Sequence, residues 1–499
     1  MKREQWNSQT GFLLAAVGSA IGLGNIWRFS YMAYDNGGGA FLIPYITALL
    51  TAGIPLLILE FAIGHERIGS APLAYAKVRK GWEWLGWWAV IFVMFGIELY
   101  YSVVIAWCMN FFTYSFTLEW GADPNSFFFK DFLSVSDSPS EIGNIRLPIL
   151  ASLILVWFLN WFILYRGVRK GIELANKIFM PFLFLLTAVL VFWSLTLDGA
   201  DMGIKAYLTP DFSKLSKPKV WIDAYSQIFF TLSLGFGIMI AYASYLPEKT
   251  NITKNAILTA FINCGYSLFA GFAVFAVLGF MASSQGKPIN EVVSQSIGLA
   301  FVAYPKAVSM IPGGNIFGAI FFLCLVVAGI TSSISIGEAF VSALVDKFAF
   351  KRKTVVTVIS ISGLLGSIIF ATRAGLLWLD IVDHFLTHYG LVVVGIFECI
   401  LIGWFFKLRV VREHVNRISS IKLGIWWEVL IKYFVPLVLG AILAGDLVSE
   451  FSKPYGGYSW ASLILIGVDW ILLTLIAAFV IALRPWKTRQ NKSSGRSGE

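Results

Sequence analysis

The chain has 499 residues, 58% of them hydrophobic and 13% charged, with a net charge of +9. A soluble globular protein carries about 25% charged residues, so a water-soluble enzyme, a disordered protein and a coiled coil are excluded. What remains is a polytopic membrane protein, because apolar runs of about 20 residues recur along the chain.

Twelve runs read as membrane-spanning helices, over approximately 11–35, 40–64, 84–116, 147–165, 174–194, 221–245, 254–283, 313–345, 354–371, 375–406, 424–449 and 457–483. They are too long and too little alternating to be strands of a closed barrel. The stretch 286–307 is too mixed to cross and is expected as a re-entrant or surface element. The expected fold is therefore all-α, with twelve transmembrane helices in a single transporter domain over 1–499. Of the 38 Lys and Arg residues, 26 fall in loops on the side of the N-terminus, 10 on the other side and two (Arg28, Lys432) within spans. Basic loops stay in the cytoplasm, which places both termini inside a plasma or inner cell membrane. The positive balance is thus orientation, and nucleic acid is excluded as a partner. The first run is long, Gly-rich and lacks a small-residue cleavage site, so it reads as a span and not a signal peptide. Cys108, Cys264, Cys324 and Cys399 lie inside apolar runs at no metal-binding spacing and are expected as packed free thiols. The polar segment 484–499 reads as a cytoplasmic tail.

Two helices are interrupted alike. Helix 1 contains Gly18-Ser-Ala-Ile-Gly22-Leu-Gly24-Asn25, and helix 6 contains Thr231-Leu-Ser233-Leu-Gly235-Phe-Gly237. Each Gly costs a helix about 1 kcal/mol relative to Ala. Small residues also serve close helix packing, but these helices open two successive five-helix sets, 1–194 and 221–406, before helices 11 and 12 at 424–483. Matching interruptions in the halves of an inverted repeat point to a substrate site at the bilayer midplane. Unwound carbonyls there take a cation, and a half-helix N-terminus takes an anion.

The motifs Gly18-Ser-Ala-Ile-Gly-Leu-Gly-Asn-Ile-Trp-Arg-Phe29, Asn36-Gly-Gly-Gly-Ala-Phe41, Gln227-Ile-Phe-Phe-Thr-Leu-Ser-Leu-Gly-Phe-Gly237 and Ala328-Gly-Ile-Thr-Ser-Ser333 carry a resemblance. The chain resembles the neurotransmitter:sodium symporter family, its leucine-transporter-like bacterial amino-acid members in particular. The five-plus-five inverted repeat belongs to that family's leucine transporter, so repeat and resemblance are one argument.

The resemblance implies a sodium-coupled amino-acid symporter working by alternating access, and not an enzyme. It implies two sodium sites of hard oxygen ligands. The first uses the Ala20 carbonyl, Asn25, Thr231, Asn263 and the substrate carboxylate. The second uses carbonyls of Gly18, Ile21 and Ala328 with the hydroxyls of Thr331 and Ser332. Chloride would meet Tyr45, Gln227, Thr231, Asn263 and Ser267. Relatives that do without chloride carry a carboxylate where Ser267 stands. Helix 7 here has no acid, so chloride is expected as the compensating charge. The substrate would be lined by Ser19, Ala20, Leu23, Gly24, Ile97, Tyr101, Phe230, Thr231, Ser233, Phe236, Ser332 and Ile336. Monoamine members carry Asp where this chain has Gly22, so the substrate is expected to bring its own carboxylate. The pocket offers no partner for a charged side chain, which implies neutral, apolar or aromatic amino acids. Arg28 and Asp383, with Phe230 as lid, would form the outer gate. Arg3 and Asp346, beside Trp6 and Tyr245, would form the inner one. Gly171 and Pro181 match a spacing that lets the inner end of helix 5 unwind.

Ser30 replaces a Pro of the family motif and is expected to loosen the start of the outer half of helix 1, or to cap it. Glu60 is expected to tether the helix 1 break and Glu338 to support the inner gate. His384 and His388 read as an outward polar face and not a metal site. Trp82, Trp84, Trp87, Trp88, Trp426 and Trp427 read as interface belts. A proton-coupled permease would need an acid in helix 7 or near the second sodium site. An intramembrane enzyme would need a nucleophile–base or metal constellation. A non-transporting sensor would be favoured by loss of Asn25, Asn263 or Arg28, and all three are present. The partners are then an amino acid and the lipid bilayer, with homo-oligomers left open.

Overall fold

The computed structural model describes residues 4–292 and 296–487. Arg3 and residues 488–499 of the tail lie outside the described residues. Ten continuous helices are long and apolar enough to cross a membrane: Gly38–Arg67, Glu83–Ser115, Leu147–Tyr165, Val168–Leu195, Ile252–Gln285, Gly314–Phe348, Arg352–Ala371, Gly375–Phe405, Ile425–Gly457 and Trp460–Ala482. These are helices 2–5 and 7–12. Helix 1 is a pair, 1a (Gln9–Ala20) and 1b (Leu23–Asp35), bent by 53° at the break. Helix 6 is also a pair, 6a (Pro218–Thr231) and 6b (Ile238–Ala243). Each half of helix 6 is too short to cross alone; ten spans, or eleven with the helix 1 pair, are long and apolar enough among the described residues. The chain is an all-helical, multi-pass membrane protein, and no strand occurs among the described residues.

Burial orders the helices. The apolar stretches of helices 3 and 8 are 89% buried, and those of helices 11 and 12 only 22%. All four are apolar on every side, so the contrast puts 3 and 8 at the centre and 11 and 12 on the lipid boundary. Helix 8 packs on helix 3 through Gly329, where a Cβ would lie 2.6 Å from Ile105. Small residues permit such approach where no hydrophobic force acts between helices.

Segment 286–307 does not cross. Its later part forms short helical turns, Leu299–Ala303 and Tyr304–Val308, but they are interior and not superficial. Phe301 is fully buried, stacked on Phe128 with centroids 5.0 Å apart, and meets Trp107 and Phe111 edge-on. All four cysteines are free and buried.

Two expectations fail here. Most of the tryptophans do not form a belt: Trp87 and Trp427 are wholly buried, and Trp427 donates to the Pro55 carbonyl at 3.1 Å. Of the six, only Trp426 is more than half exposed. An indole N–H at a span end is satisfied equally well by a backbone carbonyl inside the fold. Ser30 neither starts nor caps a helix. Helix 1b already begins at Leu23, so Ser30 lies mid-helix, buried, and donates to the Ile26 carbonyl at 2.7 Å as mid-helix serines do.

Candidate functional site

The two breaks face each other. Between helices 1a and 1b, Ile21 and Gly22 are extended, and the Gly22 N–H donates to Asn25 Oδ1 at 2.8 Å. Between 6a and 6b, Ser233, Gly235 and Gly237 take left-handed φ values of 54°, 75° and 70°. Glycine does so without strain; Ser233 is the strained residue, and its hydroxyl donates to the Ser19 carbonyl at 3.2 Å, joining the breaks. Glu60 holds helix 6 and not, as expected, helix 1: its Oε1 accepts the Gly235 N–H at 2.7 Å. The left-handed turn leaves that N–H without a helical partner, whereas Asn25 already serves the helix 1 break.

A cavity of about 50 Å³ lies between the breaks, and every residue assigned to the substrate lines it. Gly22, Asn25 and Ile238 line it as well. One end is the N-terminus of helix 1b, whose free N–H groups and dipole favour an anion. There the Leu23 N–H approaches the Tyr101 hydroxyl at 3.3 Å. A Cβ at Gly22 would sit 2.9 Å from that hydroxyl and 3.1 Å from Ser332 Oγ, so glycine is what lets helix 3 and helix 8 close on the break.

Oxygen atoms cluster on two sides of this cavity. In the first cluster, Asn25 Nδ2 donates to Thr231 Oγ1 (3.0 Å), Asn263 Oδ1 (2.8 Å) and Ser267 Oγ (2.8 Å), all buried. In the second, Ser332 Oγ lies 3.4, 3.2 and 3.3 Å from the carbonyls of Gly18, Ser19 and Ile21. Beside it, Thr331 Oγ1 donates to the Ala328 carbonyl at 2.9 Å. These neutral oxygens suit a hard monovalent cation. Asn176 was not found from the sequence. It is buried on helix 5, its Oδ1 has no hydrogen-bond partner among the described residues, and that atom lies 2.2 Å from where a Gly18 Cβ would be.

Of the residues assigned to chloride, Ser267, Thr231 and Asn263 belong to the first cluster as well. Tyr45 donates its hydroxyl to Cys264 Sγ at 3.3 Å. Gln227 is fully buried, and neither Nε2 nor Oε1 has a partner among the described residues. An unpaired buried amide is costly, and an anion accepting from Nε2 would relieve part of that cost.

On the Arg28 side, a vestibule of about 260 Å³ is lined by Arg28, Tyr100, Asp380 and Asp383. The Arg28 guanidinium lies 4.9 Å from the centroid of the Phe230 ring. Asp383 instead accepts the Tyr100 hydroxyl at 2.5 Å, and Arg28 and Asp383 form no ion pair among the described residues. On the opposite side, Trp6 is buried, donates to the Tyr242 carbonyl at 2.9 Å and sits edge-on to Tyr242 at 5.2 Å. Tyr245 donates to Glu338 Oε1 at 2.6 Å, and Arg352 grips both oxygens of Glu338. Asp346 accepts the Ser70 N–H at 2.9 Å. Between helices 10 and 11, helix Leu408–Ile418 bears His414, 3.0 Å from His65 of helix 2. Burial, and then the neighbouring His65, Arg417 and Arg67, push His414 down to about 4, so it is neutral at ordinary pH.

Helix 5 is wound throughout. Gly171 lies in a wide turn over Val168–Glu173, and Pro181 lies inside the helix that follows. A Cβ at 171 would lie 2.0 Å from the Ile163 carbonyl oxygen, so this glycine also seats helix 5 on helix 4. His384 and His388 meet Glu450 at 2.9 Å and Asp446 at 3.1 Å on helix 11; His384 is largely enclosed, whereas His388 keeps 39% of its side chain exposed. No group of three or more metal-ligating side chains occurs among the described residues.

The sequence matches the sodium:neurotransmitter symporter family over residues 3–125 and 121–488. It is 50% identical to an uncharacterized sodium-dependent transporter of Methanocaldococcus jannaschii, over 96% of this chain and 98% of that protein. It is 30% identical to a sodium-dependent dopamine transporter of Caenorhabditis elegans, over 92% of this chain and 82% of the relative. It is 33% identical to the sodium- and chloride-dependent GABA transporter 2 of Homo sapiens, over 83% and 75%. By these matches the chain belongs to the sodium:neurotransmitter symporter family, a family of sodium-coupled symporters and not of enzymes.

Proposed function

We propose that the protein carries a neutral amino acid across the cell membrane together with two sodium ions, with chloride as counter-charge, by alternating access between an outer gate at Arg28 and an inner gate at Trp6. Both termini would face the cytoplasm, and 1–194 and 221–406 would be the inverted repeats. The observation that carries the reading is the cavity between the breaks, with anion-binding N–H groups at one end and an oxygen cluster on each side. The first sodium would be shared with the substrate carboxylate at Asn25, Thr231 and Asn263, and the second held at Ser332, Thr331 and the free carbonyls of helix 1a. Crowding at Gly22 supports a substrate that brings its own carboxylate, since an acidic side chain there would have to displace Tyr101 and Ser332. A volume of about 50 Å³ holds a few water-sized groups, which favours a compact side chain. The Gln227 amide, without a partner among the described residues, and the absence of an acid from helix 7 support chloride.

A thermal-shift screen of the twenty amino acids tests this, each in sodium or potassium and in chloride or gluconate. Ligand at a hundredfold its Kd stabilises the native state by about 2.7 kcal/mol. The expected result is a rise in Tm with one or a few neutral amino acids, only in sodium, and smaller in gluconate. Equal stabilisation in potassium would refute sodium coupling, and equal stabilisation in gluconate would refute the chloride role.

A further inference from the structure

A cavity of about 1160 Å³ opens on the face that carries the N-terminal segment, where helix 4 hands over to helix 5. It takes no part in the site described above. Its walls hold Arg166, Arg169, Lys170 and Lys353, with Trp161 and Tyr165. The two acids beside them are engaged elsewhere. Glu4 accepts the Val168 N–H at 2.7 Å. Glu173 accepts from the Asn7 N–H, the Ser8 hydroxyl and Lys177, at 2.7, 3.0 and 2.7 Å. None of the four cations belongs to an ion pair among the described residues; Arg169 donates to Asn7 Oδ1 instead. Two are held against aromatic faces, Arg166 at 4.4 Å from the Phe162 centroid and Lys353 at 4.7 Å from that of Tyr165. Such contacts position a cation without neutralising it.

The adjoining outer surface is apolar. Phe158, Leu174 and Ile178, on helices 4 and 5, are 52%, 47% and 58% exposed. In a membrane protein these exposed span faces meet acyl chains. Unneutralised cations, aromatic rims and an acyl-accepting wall meet at one place. That combination matches a ligand with a negative head and two hydrocarbon tails. A zwitterionic lipid brings a cation of its own into the cluster, and a soluble phosphate leaves the apolar wall uncovered.

We propose that this cavity binds an anionic phospholipid, its phosphate taken by Arg166, Lys170 and Lys353 and its chains laid along helices 4 and 5. The bound lipid ties the N-terminal segment, the first turn of helix 5 and the start of helix 9 together.

The test is thermal unfolding of the full chain in an uncharged detergent, with phosphatidylglycerol, phosphatidylcholine or glycerol 3-phosphate added. Phosphatidylglycerol is expected to raise Tm by several degrees and the other two to leave it unchanged. The variant R166Q/K170Q/K353Q is expected to lose that rise. The variant K205Q/K214Q/K217Q, which removes as many charges elsewhere, is expected to keep it. Where the first variant fails to fold, native mass spectrometry compares the phosphatidylglycerol retained by wild type with that retained by R166Q and by K170Q singly, and each is expected to retain less. An equal rise with phosphatidylcholine or glycerol 3-phosphate, an undiminished rise or retention in the cavity variants, or a lost rise in K205Q/K214Q/K217Q would each overturn the proposal.

Discussion

The substrate cavity is closed by different means at its two ends. Toward the outer vestibule the partition is one layer thick, because cavity and vestibule share Leu23, Gly24, Tyr101 and Phe230 as a common wall. That layer is held by a guanidinium over a ring, a contact worth about 0.5–2 kcal/mol. Toward the N-terminal face the closure is several layers deep. Trp6 wedges under helix 6b, the Tyr242 hydroxyl donates to Ser335 at 2.7 Å, and beyond lies a Glu338–Arg352 pair whose carboxylate is fully buried and whose guanidinium is partly so. Removing one member of a buried pair costs about 3–5 kcal/mol, because the other charge is left uncompensated. On the proposed function, opening outward asks for one ring to swing, whereas opening inward asks water to replace a bonded network, and the closure at Phe230 is the labile one.

The largest effect should come from the inner gate. Glu338→Ala leaves the part-buried Arg352 without its carboxylate, so thermal unfolding is expected to show a stability loss of up to about 3 kcal/mol, the low end for a buried pair. Glu338→Gln, which keeps an acceptor for Tyr245 and Arg352, should cost markedly less. If Glu338→Ala unfolds at the wild-type temperature, the inner network is no stronger than the outer contact and the contrast disappears. Phe230→Ala should act in the opposite register. The ring is only partly buried, so unfolding should move little, but removing it merges the cavity with the vestibule. Burying a Phe side chain is worth about 1.5–3 kcal/mol, and substrate affinity should fall roughly ten- to hundredfold by equilibrium binding. A variant that binds normally would show that the lid lies elsewhere.

What the sequence made legible is what lies within one short stretch. The glycine interruptions, the serines and threonines beside them and most pocket-lining residues belong to local motifs, whereas Ile97, Tyr101 and Ile336 come from the family resemblance alone. Every pocket residue named from those motifs lines the cavity. Pairings between distant helices were not legible, because a span that is apolar all round gives no clue to its rotation. Glu60 holds helix 6 where the sequence suggests helix 1, His384 and His388 meet helix 11 where it suggests an outward polar face, and Asn176 belongs to no motif. Gly171 shows the same limit. Its spacing to Pro181 suggests a hinge, yet the Ile163 carbonyl 2.0 Å from its missing Cβ shows a packing constraint as well. Gly171→Ala would thus confound hinge and seat, and Pro181→Ala alone is the cleaner probe of unwinding.

The smallest effect bears most directly on the comparison. Asp383 accepts from Tyr100 and makes no ion pair with Arg28 among the described residues. Asparagine in its place keeps an oxygen that can accept the same hydroxyl, so what is lost is the charge on the acceptor. Hydrogen bonds to charged groups contribute about 1.5–3 kcal/mol and neutral ones about 0.5–1.5, a difference of about 1 kcal/mol. Asp383→Asn is therefore expected to lower sodium-driven uptake by no more than about fivefold, with Tm nearly unchanged. Arg28→Gln, which removes the cation from Phe230, should lower it by a similar factor. If either variant abolishes uptake, the outer gate must pass through an Arg28–Asp383 ion pair during the cycle. Outer closure would then rest, like inner closure, on a charge pair that neither partner can lose.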